Sequence, residues 1–191
     1  MKIRSSQKLT DLKWLNMFEV AYVDKNGRNR SWQVASRVKE PKCITKKFAV
    51  PDAVVIVPLH SAENKIVITR EYRIPLADFE YGFPAGLIDA GETIEQASRR
   101  ELKEETGLEV TRFTGISPPI YSSAGMSDES VVMVYVECGG NPSTANNTGS
   151  EVIEVELISP RQAFRLCENP TLKFDAKAWL VLSEFAKYGH L

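Results

Sequence analysis

The sequence predicts an α/β fold, a mixed sheet carrying helices, with an N-terminal β-hairpin extension. Three observations predict it. Two β-prone runs flank an Asn-Gly pair near the N-terminus, short apolar or alternating runs follow, and segments with helical spacing and capping residues lie between and after them. At 191 residues and 43% hydrophobic content the chain can bury one sizeable core but is short for two. The expected division is an extension over residues 1–47 and a main domain over residues 48–191.

Taken in order, Met17 to Val38 holds the two runs that flank Asp24-Lys25-Asn26-Gly27, whose Asn-Gly pair tolerates the positive φ of a tight turn. Ala53 to Leu59 is an apolar run suited to a buried strand, and Lys65 to Arg70 alternates after a bend at Ala62-Glu63-Asn64. Thr93 to Thr106 reads as a helix. Thr93 and Gln96 have capping-box spacing, Ile94, Ala97, Leu102 and Thr106 share one side, and Gly107 follows as a C-terminal cap. Val131 to Val136 is a further strand, and the polar stretch from Gly139 to Ser150 reads as a mobile loop. Val152 to Ile158 alternates as a strand, and Pro160 to Glu168 and Asp175 to Tyr188 read as helices.

The formal charge is −1, from 24 basic and 25 acidic residues, so the chain lacks the basic field that gathers nucleic acid. Cys43, Cys138 and Cys167 form no CxxC pair and His60 and His190 stand apart, which argues against zinc and for idle thiols in a reducing compartment. Residues 1–16 have no signal-peptide core, and no apolar run reaches the roughly 18 residues of a membrane span. A cytoplasmic protein without membrane partners is the expectation.

On the Thr93 to Thr106 helix, Glu101, Glu104 and Glu105 stand at i, i+3 and i+4, so their carboxylates share a side and repel. Arg100 and Lys103 can neutralise part of that charge, and a solvated acidic face is one reading. The other is a hard cation such as Mg²⁺, which takes a few carboxylates and keeps room for water and substrate phosphates. Ahead of the helix, Gly82-Phe83-Pro84-Ala85-Gly86-Leu87-Ile88-Asp89-Ala90-Gly91-Glu92 supplies glycines and a proline where backbone can turn sharply and approach a ligand. That context favours the cation.

Gly86, five residues, Glu92, seven residues, then Arg100-Glu101-Leu102-Lys103-Glu104-Glu105-Thr106-Gly107-Leu108 resembles the complete Nudix box GX5EX7REUXEEXGU, where U is aliphatic. Every fixed position matches. The resemblance implies an α/β/α sandwich on a mixed sheet. It also implies Glu101 and Glu105 as principal metal ligands and catalytic carboxylates, with Glu104 and the Ala85 carbonyl assisting. Gly86, Glu92 and Arg100 resemble the brace between loop and helix, which acts on ligand geometry without supplying a ligand.

Outside the box, four features resemble the ADP-ribose and ADP-sugar pyrophosphatase branch. Glu71-Tyr72-Arg73-Ile74-Pro75 resembles that branch's (Q/E)-(Y/F)-R-x-P segment, and the Arg73 fork suits a phosphate or ribose oxygen, unless it only pairs with an acid such as Glu80. Tyr121 to Glu129 resembles the substrate loop, with Asp128 and Glu129 at its acidic positions, but Ala124 stands where the branch usually has proline. Trp14 and Trp32 resemble a pair that sandwiches adenine across a dimer; the alternative is that they pack on the core. Gly149-Ser150-Glu151 resembles the segment carrying the catalytic loop glutamate, which makes Glu151 the candidate base and Glu154 the lesser one.

The resemblance therefore implies hydrolysis of an ADP-ribose-like pyrophosphate with Mg²⁺, Mn²⁺ being a possible substitute, by a homodimer whose partner is a small nucleotide sugar. Two rivals stay open. GDP-mannose, a dinucleoside polyphosphate or NADH is a substrate that Ala124 leaves open, and a non-catalytic nucleotide-sugar sensor is a different class, disfavoured because every box glutamate is kept.

Overall fold

The fold follows from where the chain can turn and which faces it must bury. In a computed structural model, which describes residues 1–145, 147 and 152–191, the elements run in chain order as follows. They are β1 (Lys2–Lys8), β2 (Asn16–Val23), β3 (Asn29–Ser36), α1 (Lys42–Thr45), β4 (Ala53–His60), β5 (Lys65–Arg73), β6 (Asp78–Gly82), β7 (Ala85–Leu87) and α2 (Ile94–Thr106). After these come β8 (Glu109–Ile116), β9 (Ile120–Tyr121), β10 (Ser130–Gly139), β11 (Ile153–Ile158), α3 (Pro160–Cys167) and α4 (Ala176–Tyr188). The chain divides into two units, Met1–Asp52 with Pro119–Val131, and Ala53–Pro118 with Val132–Leu191.

In the first unit, Gly27 at φ 78° and the Asp24 carboxylate, which accepts from the Asn26 and Arg28 N–H groups, make the turn between β2 and β3. The expected hairpin gains β1, so the sheet is three-stranded and antiparallel in the order β1-β2-β3. Phe18, Val20 and Val34 form its apolar cluster. The N-terminal unit also takes in the segment 119–131.

Lys42 is 3% exposed, and its ammonium meets Asp52 Oδ2 at 2.5 Å, Ser130 Oγ at 2.8 Å and the Val50 carbonyl at 3.2 Å. All three donors of a buried charge are thereby used, which is the condition under which burying it is tolerable.

In the second unit the path of the main sheet is β11-β5-β4-β10-β8, with β6 on β5 and β7 on β4. β5 pairs antiparallel with β4, β6 and β11. The Asp52 N–H bonds the Ser130 carbonyl and the Ser61 N–H bonds the Cys138 carbonyl, so β4 and β10 run in the same direction and the sheet is mixed. Val54, Ile56, Val67, Val132, Val134 and Val136 face a core shared with Ala97 and Leu102 of α2. By the two-residue pleat, Val55, Val57, Ile66 and Ile68 point to the opposite face and are buried there too. The helices α3 and α4, which pack on each other and reach β11 and β6, form that second layer. Completely buried Leu102 contributes on the order of 1.5–3 kcal/mol of apolar burial.

Cys138 is buried, and burial alone pushes its thiol up to about 12, an inert core residue. Among the described residues, no helix is long and apolar enough to cross a membrane.

Candidate active site

The carboxylate helix α2 begins at a full capping box: Gln96 N–H bonds Thr93 Oγ at 3.2 Å, and Thr93 N–H bonds Gln96 Oε1 at 2.8 Å. It ends at Gly107, φ 72°, where glycine is required twice over. The left-handed backbone favours it, and a Cβ there would meet the Ser143 backbone at 2.9 Å, since Ser143 N–H bonds the Thr106 carbonyl.

Before the helix, β7 pairs with β4 at Val54↔Gly86 and Val55↔Ala85, and the Ile56 N–H bonds the Pro84 carbonyl at 2.8 Å. Antiparallel pairs alternate, so Pro84 and Gly86 bond β4 while both main-chain groups of Ala85 face outward. There the Ala85 N–H meets Glu105 Oε2 at 3.3 Å, which puts the Ala85 carbonyl on the same edge as the Glu105 carboxylate. Gly86 stands directly against Glu101: a Cβ at Gly86 would overlap the Glu101 carboxylate. The glycine of the loop makes room for the acid of the helix.

Arg100 fastens the two segments. Its Nε lies 2.9 Å from Glu92 Oε1, Nη2 lies 2.8 Å from Glu92 Oε2 and 3.0 Å from the Leu87 carbonyl, and Nη1 lies 2.5 Å from Glu101 Oε1. Glu104 Oε2 is 3.5 Å from the same Nη1. These bonds raise the Arg100 pKa, and Arg100 holds the Glu92 carboxyl below the usual carboxylate range. Glu101, at 9% exposure, is shifted upward by burial, with Arg100 opposing. Lys103, the other expected neutraliser, bonds Glu109 at 2.8 Å instead.

Among the described residues, no three His, Cys, Asp or Glu side chains converge as a ready-made metal cage. The donor set is two carboxylates beside an outward backbone edge, with Glu104 at the rim. It fits a hard cation that takes one or two carboxylates and completes its shell with water and substrate phosphate.

Arg73, at the end of β5, has Nη1 2.7 Å from Glu71 and Nε 3.5 Å from Glu80, and also feels the charge of Glu105. The pairing expected as the alternative is therefore present, with Glu71 as the closer partner. Burial raises the Glu80 pKa, and Asp175 and Glu71 add to it against Arg73. Arg70 lies 3.9 Å over the Phe79 ring and bonds Glu154 at 2.7 Å, so Glu154 is engaged with a cation.

In the N-terminal unit neither tryptophan packs into the apolar cluster: Trp14 is 65% and Trp32 53% exposed. Trp32 Nε1–H donates to the Gly125 carbonyl at 3.2 Å. Trp32, Tyr121, Ala124 and Asp128 line a cavity of about 660 Å³, and Trp14 is not among its lining residues. Asp128 Oδ2 accepts from Ser36 Oγ and the Lys42 N–H, and Glu129 pairs with Arg37. Glu151 lies outside the described residues.

Sequence reasoning missed Lys42, Asp52 and Ser130. Their partners are far apart in the chain, and no local spacing marks them; only the burial of a lysine does. Glu71 could have been found, since it stands two residues before Arg73 on the same face of a strand.

Comparison with known proteins identifies the family and the fold. The NUDIX domain model matches residues 50–180. The ADP-ribose pyrophosphatase of Saccharomyces cerevisiae is 30% identical over 72% of this chain, and the match spans 58% of that longer protein. The ADP compounds hydrolase NudE of Escherichia coli is 38% identical over 68% of this chain and 72% of its own length. A crystal structure of an ADP compounds hydrolase superposes with a TM-score of 0.71 at 22% identity, covering 97% of this chain and 94% of the other, which establishes the shared fold. With the box carried on a capped helix against a glycine strand, and the domain model covering most of the sequence, this chain belongs to the Nudix family.

Proposed function

We propose that this protein hydrolyses the pyrophosphate of ADP-ribose or a related ADP-sugar, using Mg²⁺ with Mn²⁺ as a substitute, and releases AMP and a sugar phosphate. The observation that carries the reading is the meeting of Glu101 and Glu105 with the Ala85–Gly86 backbone. Nudix hydrolases generally use divalent metal ions. Glu101, Glu105 and the Ala85 carbonyl would hold the cation, with Glu104 assisting. When bound there, it supplies positive charge to the pyrophosphate and acidifies the attacking water.

The chain's own residues do the rest. Arg100, anchored to Glu92, keeps Glu101 aimed and offsets repulsion among the acids. Arg73 and Glu80 offer a donor fork and an acceptor to phosphate and ribose oxygens. Trp14 and Trp32 present ring faces to adenine, and Asp128, on the wall of the Trp32 cavity, offers its carboxylate to a ligand there. Glu129, tied to Arg37, holds the end of the same loop. Glu151, nominated by sequence alone, takes the proton as water attacks phosphorus and the P–O bond to the leaving phosphate breaks.

The N-terminal unit is proposed to pair with a second copy in a cytoplasmic homodimer, because its three-stranded sheet leaves Trp32 and the apolar cavity exposed. A second reading within the same chemistry is a broader range of ADP compounds, favoured by Ala124 in the cavity wall and by the NudE relative. Purified protein with Mg²⁺ is incubated with ADP-ribose, GDP-mannose, NADH and diadenosine polyphosphates, and products are identified by mass spectrometry. AMP and ribose 5-phosphate from ADP-ribose are expected. Cleavage of NADH at a comparable rate selects the broader reading, and cleavage of GDP-mannose alone overturns both.

A further inference from the structure

The segment joining β1 to β2, residues 9–15, is neither helix nor strand, yet the side chain of one buried residue closes it. Asn16, 8% exposed, accepts at Oδ1 from the Leu12 N–H at 2.7 Å and donates from Nδ2 to the Leu12 carbonyl at 2.8 Å. Its amide thus satisfies both main-chain groups of Leu12, as a neighbouring strand would. The Thr10 hydroxyl donates to Asn16 Oδ1 at 3.2 Å and accepts from the Met17 N–H at 2.9 Å, while the Leu9 N–H bonds the Met17 carbonyl at 2.8 Å.

What this fastened loop presents is apolar. Leu12 and Trp14 are each 65% exposed and Leu15 41%. Lys13 Nζ stands 4.3 Å from the centroid of the Trp14 ring, which covers one face and leaves the other. A polar clamp that holds a loop still while its aromatic side chain faces water has its use in a ligand. A ring carried on a fastened loop suits a flat π system such as a nucleobase, which binds a bare aromatic face by stacking and without a hydrogen-bond pattern.

We propose that Asn16, with Thr10, is a positioning residue for substrate: it sets the plane of Trp14 so that the uncovered face receives the nucleobase of the ADP moiety. The inference rests on the reading of Trp14 as a base-stacking residue. Its physical content is preorganisation, in which the ordering cost of the loop is met on folding and not on binding.

The test measures binding by calorimetry of two probes, AMP, which carries the base, and ribose 5-phosphate, which lacks it. Asn16→Ala and, more gently, Thr10→Val are expected to weaken AMP severalfold and leave ribose 5-phosphate unchanged, with Thr10→Ser restoring the affinity. Trp14→Ala is expected to weaken AMP by about tenfold, within the range of a lost base stack. In the Trp14→Ala background, Asn16→Ala should then add nothing further to the loss, the signature of one residue acting through another. Relaxation of the Trp14 indole N–H should show added nanosecond motion in Thr10→Val. AMP affinity unchanged in Thr10→Val despite a loosened indole overturns the clamp while leaving the stacking reading intact, as does an additive effect in the Trp14→Ala background. AMP affinity unchanged in Trp14→Ala overturns the stacking reading itself and the clamp with it.

Discussion

The guanidinium of Arg100 grips both carboxylate oxygens of Glu92, at 2.9 and 2.8 Å, across eight residues of chain that include the turn into α2. The same guanidinium reaches Glu101, so the position of a proposed ligand depends on a bond made by a residue that is not one.

Arg100→Lys is therefore expected to lower apparent divalent-metal affinity by about 10–100-fold, because an ammonium cannot fork onto Glu92 and reach Glu101 together. Excess metal should restore most of kcat. The brace also has a pH signature. Arg100 depresses the Glu92 pKa, so its stabilisation is fully present above the ordinary glutamate value, about 4.3, and is lost as pH falls through the lower folded-state value. The Tm gap between wild type and Glu92→Gln, present at pH 7, should close below about pH 4. A gap unchanged from pH 7 to pH 3 would contradict the pairing.

Gly86 and Glu101 give a second prediction. Gly86 is not among the positive-φ glycines, so its lack of a side chain serves space alone. Gly86→Ala should cost about 1–3 kcal/mol of stability by overpacking and should displace the Glu101 carboxylate. In a Glu101→Ala background the same substitution should cost much less. Denaturant unfolding of the four proteins decides it, and additive losses would mean that Gly86 does not make room for Glu101.

How far the sequence could be read follows from the range of each interaction. Thr93, Gln96 and Gly107 were legible because a cap is a local bond whose partners sit three or four residues apart. The polar strand Lys2–Lys8 was not, since six of its seven residues are exposed and it shows no apolar alternation. Nor was Ala85–Leu87, a three-residue strand inside a stretch that reads as loop because glycine and proline punctuate it. Of the site, the Glu92–Arg100 pair was legible from the box. The engagement of Glu154 by Arg70, 84 residues away, and of Lys103 by Glu109 depended on the register of strands and on rotamers that no spacing encodes.

Glu151 carries a kinetic prediction. If it takes the proton from the attacking water and holds no ground-state ligand, Glu151→Gln should lower kcat by roughly 10²–10⁴ with little change in KM. Glu154→Gln should be milder, because its carboxylate is paired with Arg70. Raising pH should partly rescue the Glu151 variant and added metal should not. A wild-type pH–rate profile in the variant returns the residue to the surface, and rescue by metal alone makes it a ligand.

If the acids of α2 bind a divalent cation for pyrophosphate hydrolysis, Glu105 is the residue whose loss should show it, because its carboxylate meets the Ala85 edge. The measurement is the rate of AMP release from ADP-ribose as a function of Mg²⁺ for wild type and Glu105→Gln, alongside thermal unfolding without metal. A neutral amide is a poor ligand for a hard cation, and removing one of three neighbouring charges relieves repulsion on the helix. Loss of most turnover at every Mg²⁺ concentration is expected, with a Tm equal to or above that of wild type. Near-wild-type turnover of Glu105→Gln at saturating Mg²⁺, or wild-type turnover that persists in excess chelator, would contradict it.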